Sequence, residues 1–102
     1  MYSDNLGSIG LTVKYPVKDA EIANFQSIQK KLEDLATSQP GCKTFKLHED
    51  FKDPSFFWLV EEWESTEAWK PYLMSEERAT NAELMMDMMS GLPQMALYKI
   101  TN

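Results

Sequence analysis

Residues 50–65 read Asp50-Phe51-Lys52-Asp53-Pro54-Ser55-Phe56-Phe57-Trp58-Leu59-Val60-Glu61-Glu62-Trp63-Glu64-Ser65. Lys52-Asp53-Pro54 is turn chemistry: an Asp side chain bonds nearby backbone and Pro presets a turn dihedral, so residues 50–55 read as a hairpin turn. The eight residues after it read as a strand. Its odd positions Phe57, Leu59, Glu61 and Trp63 share one face, and its even positions Phe56, Trp58, Val60 and Glu62 share the other. Both faces carry large apolar groups, so both expect cover.

Upstream of the turn, Cys42 to His48 alternates Phe45 and Leu47 with Thr44, Lys46 and His48, which gives the hairpin its first strand. Earlier still, Ile9, Leu11, Val13 and Tyr15 alternate with Gly10, Thr12 and Lys14 as a half-buried strand closed by Pro16. Between them Asp19 reads as an N-cap, Ile22, Phe25, Ile28, Leu32 and Leu35 recur at helical spacing, and Pro40-Gly41 is a stop. Downstream, Ser65 caps a helix containing Ala68, Trp69, Tyr72 and Leu73. Pro71 implies a kink or a restart, with Ser75 capping a further helix to about Ser90. Met95 to Ile100 alternates as a last strand. The order β-α-β-β-α-β predicts an α+β, ferredoxin-like fold, a four-stranded antiparallel sheet with its helices on one face. The other face, carrying Trp58 and Val60, is too apolar for water and predicts a homodimer joined sheet to sheet.

The chain has 102 residues, with 10 Lys or Arg against 16 Asp or Glu, one His and one Cys. That inventory excludes an intrachain disulfide and a structural Cys/His zinc site. A net charge of −6 with no basic stripe argues against nucleic acid and anionic membrane as partners. Residues 1–8 read as a loose lead without signal-peptide features, and residues 9–102 as one domain in a cytoplasmic protein. Phosphate loops, nucleophile elbows and metal-spaced carboxylates are missing from the sequence.

Gln39-Pro40-Gly41-Cys42, then Asp53-Pro54, then Val60-Glu61-Glu62-Trp63-Glu64-Ser65 and a helix with Ala68, together resemble the antibiotic biosynthesis monooxygenase family over roughly residues 9–101. The resemblance implies a dimeric α+β barrel with a small-molecule pocket between sheet and helices. Some members oxygenate phenols or quinols with O2 and no cofactor, others degrade haem, and others act outside oxygenation. It therefore implies a monooxygenase without cofactor or metal acting on a small aromatic or planar ligand. A non-catalytic small-molecule-binding or stress-related dimer is the alternative. Haem degradation is less favoured, because the axial His of haem-degrading members comes from the helix after the Trp and residues 72–90 contain none.

By the same resemblance Trp63 is the Trp that faces the pocket. Leu59 stands where cofactor-independent members have an Asn, and Tyr72 stands where a His is frequent. His48, the only imidazole, and Glu61, sharing the strand face of Trp63, are the candidate proton carriers. Burial of Glu61 is expected to raise its pKa. Trp69 and Tyr72 complete the expected cavity wall together with Met85 and Met88, which belong to a helically spaced stripe of Leu84, Met85, Met88 and Met89 whose competing reading is ordinary core packing. Cys42 reads as a small packed residue after the turn.

Overall fold

The computed structural model describes residues 7–101. Of the expected loose lead, residues 1–6 therefore lie outside the described residues. Ser8 is held: its hydroxyl accepts from Lys43 Nζ at 2.6 Å and its carbonyl accepts from the Ile100 N–H at 2.9 Å.

Seven elements follow: β1 (Ile9–Pro16), α1 (Ile22–Thr37), β2 (Cys42–Glu49), β3 (Phe56–Trp63), α2 (Thr66–Leu73), α3 (Glu76–Met86) and β4 (Gln94–Lys99). The sheet order is β2-β3-β1-β4, with every pair antiparallel. This is the ferredoxin-like α+β arrangement that the alternation of apolar and polar residues implied. The hairpin turn is built by its aspartates. Asp50 Oδ2 accepts the N–H groups of Lys52 and Asp53, each at 3.1 Å, and Asp53 Oδ1 accepts the Ser55 N–H at 3.0 Å.

Two helix boundaries differ from the sequence expectation. Asp19 does not cap α1; a 3₁₀ turn over Asp19–Glu21 comes first, and α1 begins at Ile22 without a side-chain cap. Pro71 sits inside α2, where it lacks the N–H that would bond back to Glu67. The restart comes at Ser75, the expected cap, whose hydroxyl accepts the Arg78 N–H at the start of α3. α3 ends at Met86, short of Ser90. The segment beyond it is tied to the end of β1 by Lys18 N–H to Met88 O and Ser90 N–H to Pro16 O, both 2.9 Å.

Register assigns the faces. Val13, Leu59 and Leu47 stand in one row across β1, β3 and β2, and Leu11, Glu61 and Phe45 in the next. These odd residues point to the helices and join Phe25, Ile28, Leu32, Ala36, Trp63 and Tyr72 in the core. The even face carries Thr12, Lys14, Trp58, Val60 and His48, and on β4 Ala96 and Tyr98. Tyr98 lies over Gly10, where any Cβ would collide with its ring, and its hydroxyl is 3.1 Å from Thr12 Oγ1. All of β4 is exposed, including Met95 and Leu97 on the helix side.

Candidate functional site

A cavity of about 200 Å³ lies between the helix face of the sheet and α3. It is smaller than the ~300–1,000 Å³ common for ligand pockets, so it suits a small molecule. β1 supplies Leu11, Val13 and Tyr15 to its floor, and β3 supplies Glu61. α3 and the turn after it supply Arg78, Ala82, Met85, Met86 and Met89, and Pro93 and Met95 close the side toward β4.

Glu61 is the chemical centre of this apolar space, only 3 % exposed. Its Oε1 accepts the Trp63 indole N–H at 2.9 Å. Burial pushes its pKa from 4.5 up to about 7, against the opposing pull of that hydrogen bond and of the Arg78 charge. Arg78 acts across space: among the described residues it forms no ion pair with Glu61 within 4.0 Å. Its guanidinium lies 5.7 Å from the Tyr72 ring centroid, and Nη1 reaches the Leu73 carbonyl at 3.5 Å. Burial and the Glu61 carboxylate also push the Tyr15 phenol up to about 12, so it is a donor at neutral pH.

The structure brings together only part of the expected set. Glu61 and Met85 line the cavity. The Met85 thioether accepts from Gln29 Nε2 at 3.2 Å. Trp63 is fully buried behind Glu61 and stacked on Tyr72, with ring centroids 5.5 Å apart and planes 26° apart. Its N–H faces Glu61, and the indole is not among the residues that line the cavity. Tyr72 is held between Trp63 and Phe45, and burial with the nearby Glu61 charge raises its phenol well above the usual range. Leu59 is core, between Val13 and Leu47. Trp69 and Met88 pack against that core outside the cavity, the Trp69 N–H buried without a partner. Cys42 is half-buried with its thiol toward the Thr44 carbonyl.

His48 is not in this cavity. It pairs with Trp58 across β2 and β3, which puts it, exposed, on the sheet face away from the helices. The Trp58 it pairs with is in turn held by Lys14, whose ammonium lies 5.2 Å from the Trp58 centroid, and by Asp50, which accepts the Trp58 N–H at 2.7 Å.

Met89, part of the expected methionine stripe, lines the cavity, while Arg78, Tyr15, Met86 and Met95 escaped the reading of the sequence. Arg78 carried a signal, being the only arginine in the chain. Tyr15 carried another, since its strand parity matches Leu11 and Val13. Among the described residues no group of three His, Cys, Asp or Glu is placed to hold a metal ion, and no helix is long and apolar enough to cross a membrane.

The profile of the antibiotic biosynthesis monooxygenase family matches residues 8–83. The chain belongs to that family. Solved structures share the fold at low identity. A Caulobacter crescentus CB15 protein, provisionally named an antibiotic biosynthesis monooxygenase, has a TM-score of 0.89 at 20% identity, covering 95% of this chain and 92% of its own. A conserved protein from Methanosarcina mazei Go1 has a TM-score of 0.88 at 17% identity, covering 99% and 100%. A search of curated proteins finds no match. Within this antibiotic biosynthesis monooxygenase domain, Tyr15, Glu61 and Arg78 fall inside the matched stretch. The methionine wall, 85 to 95, falls beyond it.

Proposed function

We propose that the cavity is the active site of a monooxygenase that needs no cofactor and acts on a small, flat phenol or quinol with O2 as co-reactant. The observation that supports this reading is Glu61, a buried carboxyl poised near neutrality in an apolar cavity that also holds one fixed cation, Arg78. A base with a pKa near 7 accepts a weakly acidic hydroxyl proton, and Arg78 with the Tyr15 hydroxyl offsets the charge left on the substrate oxygen. The electron-rich anion passes one electron to O2, and the resulting radical pair joins through a C–O bond. Glu61 returns its proton to the outer peroxide oxygen, then removes the proton of the C–H at the oxygenated carbon as the O–O bond breaks. Hydroxide takes that proton and leaves as water, so a phenol plus O2 gives a quinone plus water.

Oxygen uptake with a panel of hydroquinones and hydroxyanthracenes tests the reading. Wild type is expected to consume O2 and Glu61→Gln to lose about 10²–10⁴-fold in turnover. Uptake that is absent in wild type, or unchanged in the variant, overturns it. Leu59, at the position where cofactor-independent members have an Asn, favours a second reading: a binder without turnover. That reading predicts ligand-dependent quenching of tryptophan fluorescence with no O2 consumption. In either case the acting species is proposed to be a homodimer, formed through the sheet face bearing Trp58, Val60 and Tyr98.

A further inference from the structure

The cavity, the cluster of charged groups around it and the open sheet face all belong to readings already given, but the Trp63–Glu61 pair holds more than they use. Resting on the function proposed above, we infer that Trp63 is a positioning residue that acts on the reaction only through Glu61: its indole N–H pins Oε1 and turns Oε2 to the substrate. Three observations carry this. The indole is fully buried, so no ligand in the cavity reaches it. Its one donor is spent on Glu61 Oε1 at 2.9 Å, and among the described hydrogen bonds Glu61 engages through that oxygen alone. Finally, the ring cannot turn away, because Tyr72 stacks on it and Phe45 meets Tyr72 edge-on at 5.8 Å.

A carboxyl at the end of a Glu side chain rotates freely about its last bond, so its two oxygens are interchangeable until something distinguishes them. In this chain the strand does so. Glu61 and Trp63 are two residues apart on β3, which lies between β1 and β2, and their side chains leave the same face of a backbone fixed on both edges. One oxygen therefore stays with the indole in both protonation states, and the other handles the proton. The charged and titratable groups around the carboxyl are Tyr15 from β1, Cys42 from β2, Tyr72 from α2 and Arg78 from α3.

The test follows the titration of Glu61 by carbon NMR of glutamate labelled at the carboxyl carbon, without substrate. In wild type the Trp63 indole proton, assigned by its contacts with Tyr72, is expected to move with the same midpoint as the Glu61 carboxyl. In Trp63→Phe, which removes the N–H, the Glu61 midpoint is expected to rise by about one unit, because the donor favours the charged form. The limb of the pH–rate profile belonging to Glu61 is expected to move with it while KM stays within twofold. An indole proton that does not titrate with Glu61, or a folded Trp63→Phe protein with an unmoved midpoint, overturns the inference. Neither NMR result depends on turnover, so an inactive wild type would sink the proposed function and with it the effect on rate, while the pinning of Glu61 by Trp63 would stand or fall by the NMR alone.

Discussion

Glu61 makes the protein's stability depend on pH in a direction opposite to most carboxylates. Its folded pKa, about 7, lies above the ordinary 4.5. Below the lower value the group is neutral in both the folded and unfolded chain and imposes no penalty. Between the two values the unfolded chain ionises first and stability falls. Above the folded value the full penalty is present, roughly 3 kcal/mol for a shift of this size. Equilibrium urea denaturation from about pH 5 to about pH 8 is expected to show wild type losing stability as pH rises, and Glu61→Gln losing much less. Parallel slopes for the two proteins would contradict this account. The alternation along β3 made Glu61 legible in the sequence, because sharing a face with Trp63 needs no knowledge of the partner strands. His48 was not legible in the same way. Its face depends on the pairing across the Asp50 to Ser55 turn, and the observed register sets it opposite Trp58, one residue out of phase with Trp63.

At the scale of elements, the junction between α2 and the start of β2 explains part of the family pattern without any chemistry. The Gly41 of Pro-Gly-Cys packs against Ala68 so closely that a Cβ on residue 41 would overlap the Ala68 methyl group. The Gly41 carbonyl also accepts the Glu64 N–H at 2.9 Å, and Ser65 caps α2 through the Ala68 N–H. The two motifs are thus halves of one contact. Gly41→Ala is expected to destabilise by about 1–3 kcal/mol through overpacking, measured as a lower denaturant midpoint. Ala68→Gly added to it is expected to recover much of the contact loss, less the helix cost of glycine. A neutral Gly41→Ala would show that the junction yields freely. The restart of α3 was legible at this scale, because Ser75 followed by two glutamates is a cap signal. From that cap α3 brings Arg78, Ala82 and Met85 to the cavity, and Met89 reaches it from the turn beyond the helix. The end of α3 was harder to read, because helical apolar spacing continues to Met88 and Met89 while the backbone leaves the helix after Met86.

For the whole molecule, the sheet separates two tasks. Its helix face holds the core and the cavity, and its other face presents Trp58, Val60, Ala96 and Tyr98 around the hydroxyl contact of Thr12 with Tyr98. The proposed homodimer uses that second face. Sedimentation at micromolar concentration is expected to give a dimer for wild type and a folded monomer for Val60→Lys, since an ammonium at a buried apolar interface would be left without a partner. A monomeric wild type would refute the sheet-to-sheet arrangement. The topology was legible because strand alternation and the turn signals at 16, 40–41 and 50–55 left few ways to connect the pieces. The exposure of β4 was not, because alternation marks which residues share a face and is silent on whether a helix reaches them. The cavity opens beside that strand, and four of its walls are Met85, Met86, Met89 and Met95. Unbranched thioethers redraw an outline by rotating single bonds. On the function proposed above, such a site is expected to discriminate among guests by the placement of an acidic oxygen against Glu61 and Arg78, and to tolerate an added ring methyl or a shifted alkyl arm with little change in affinity.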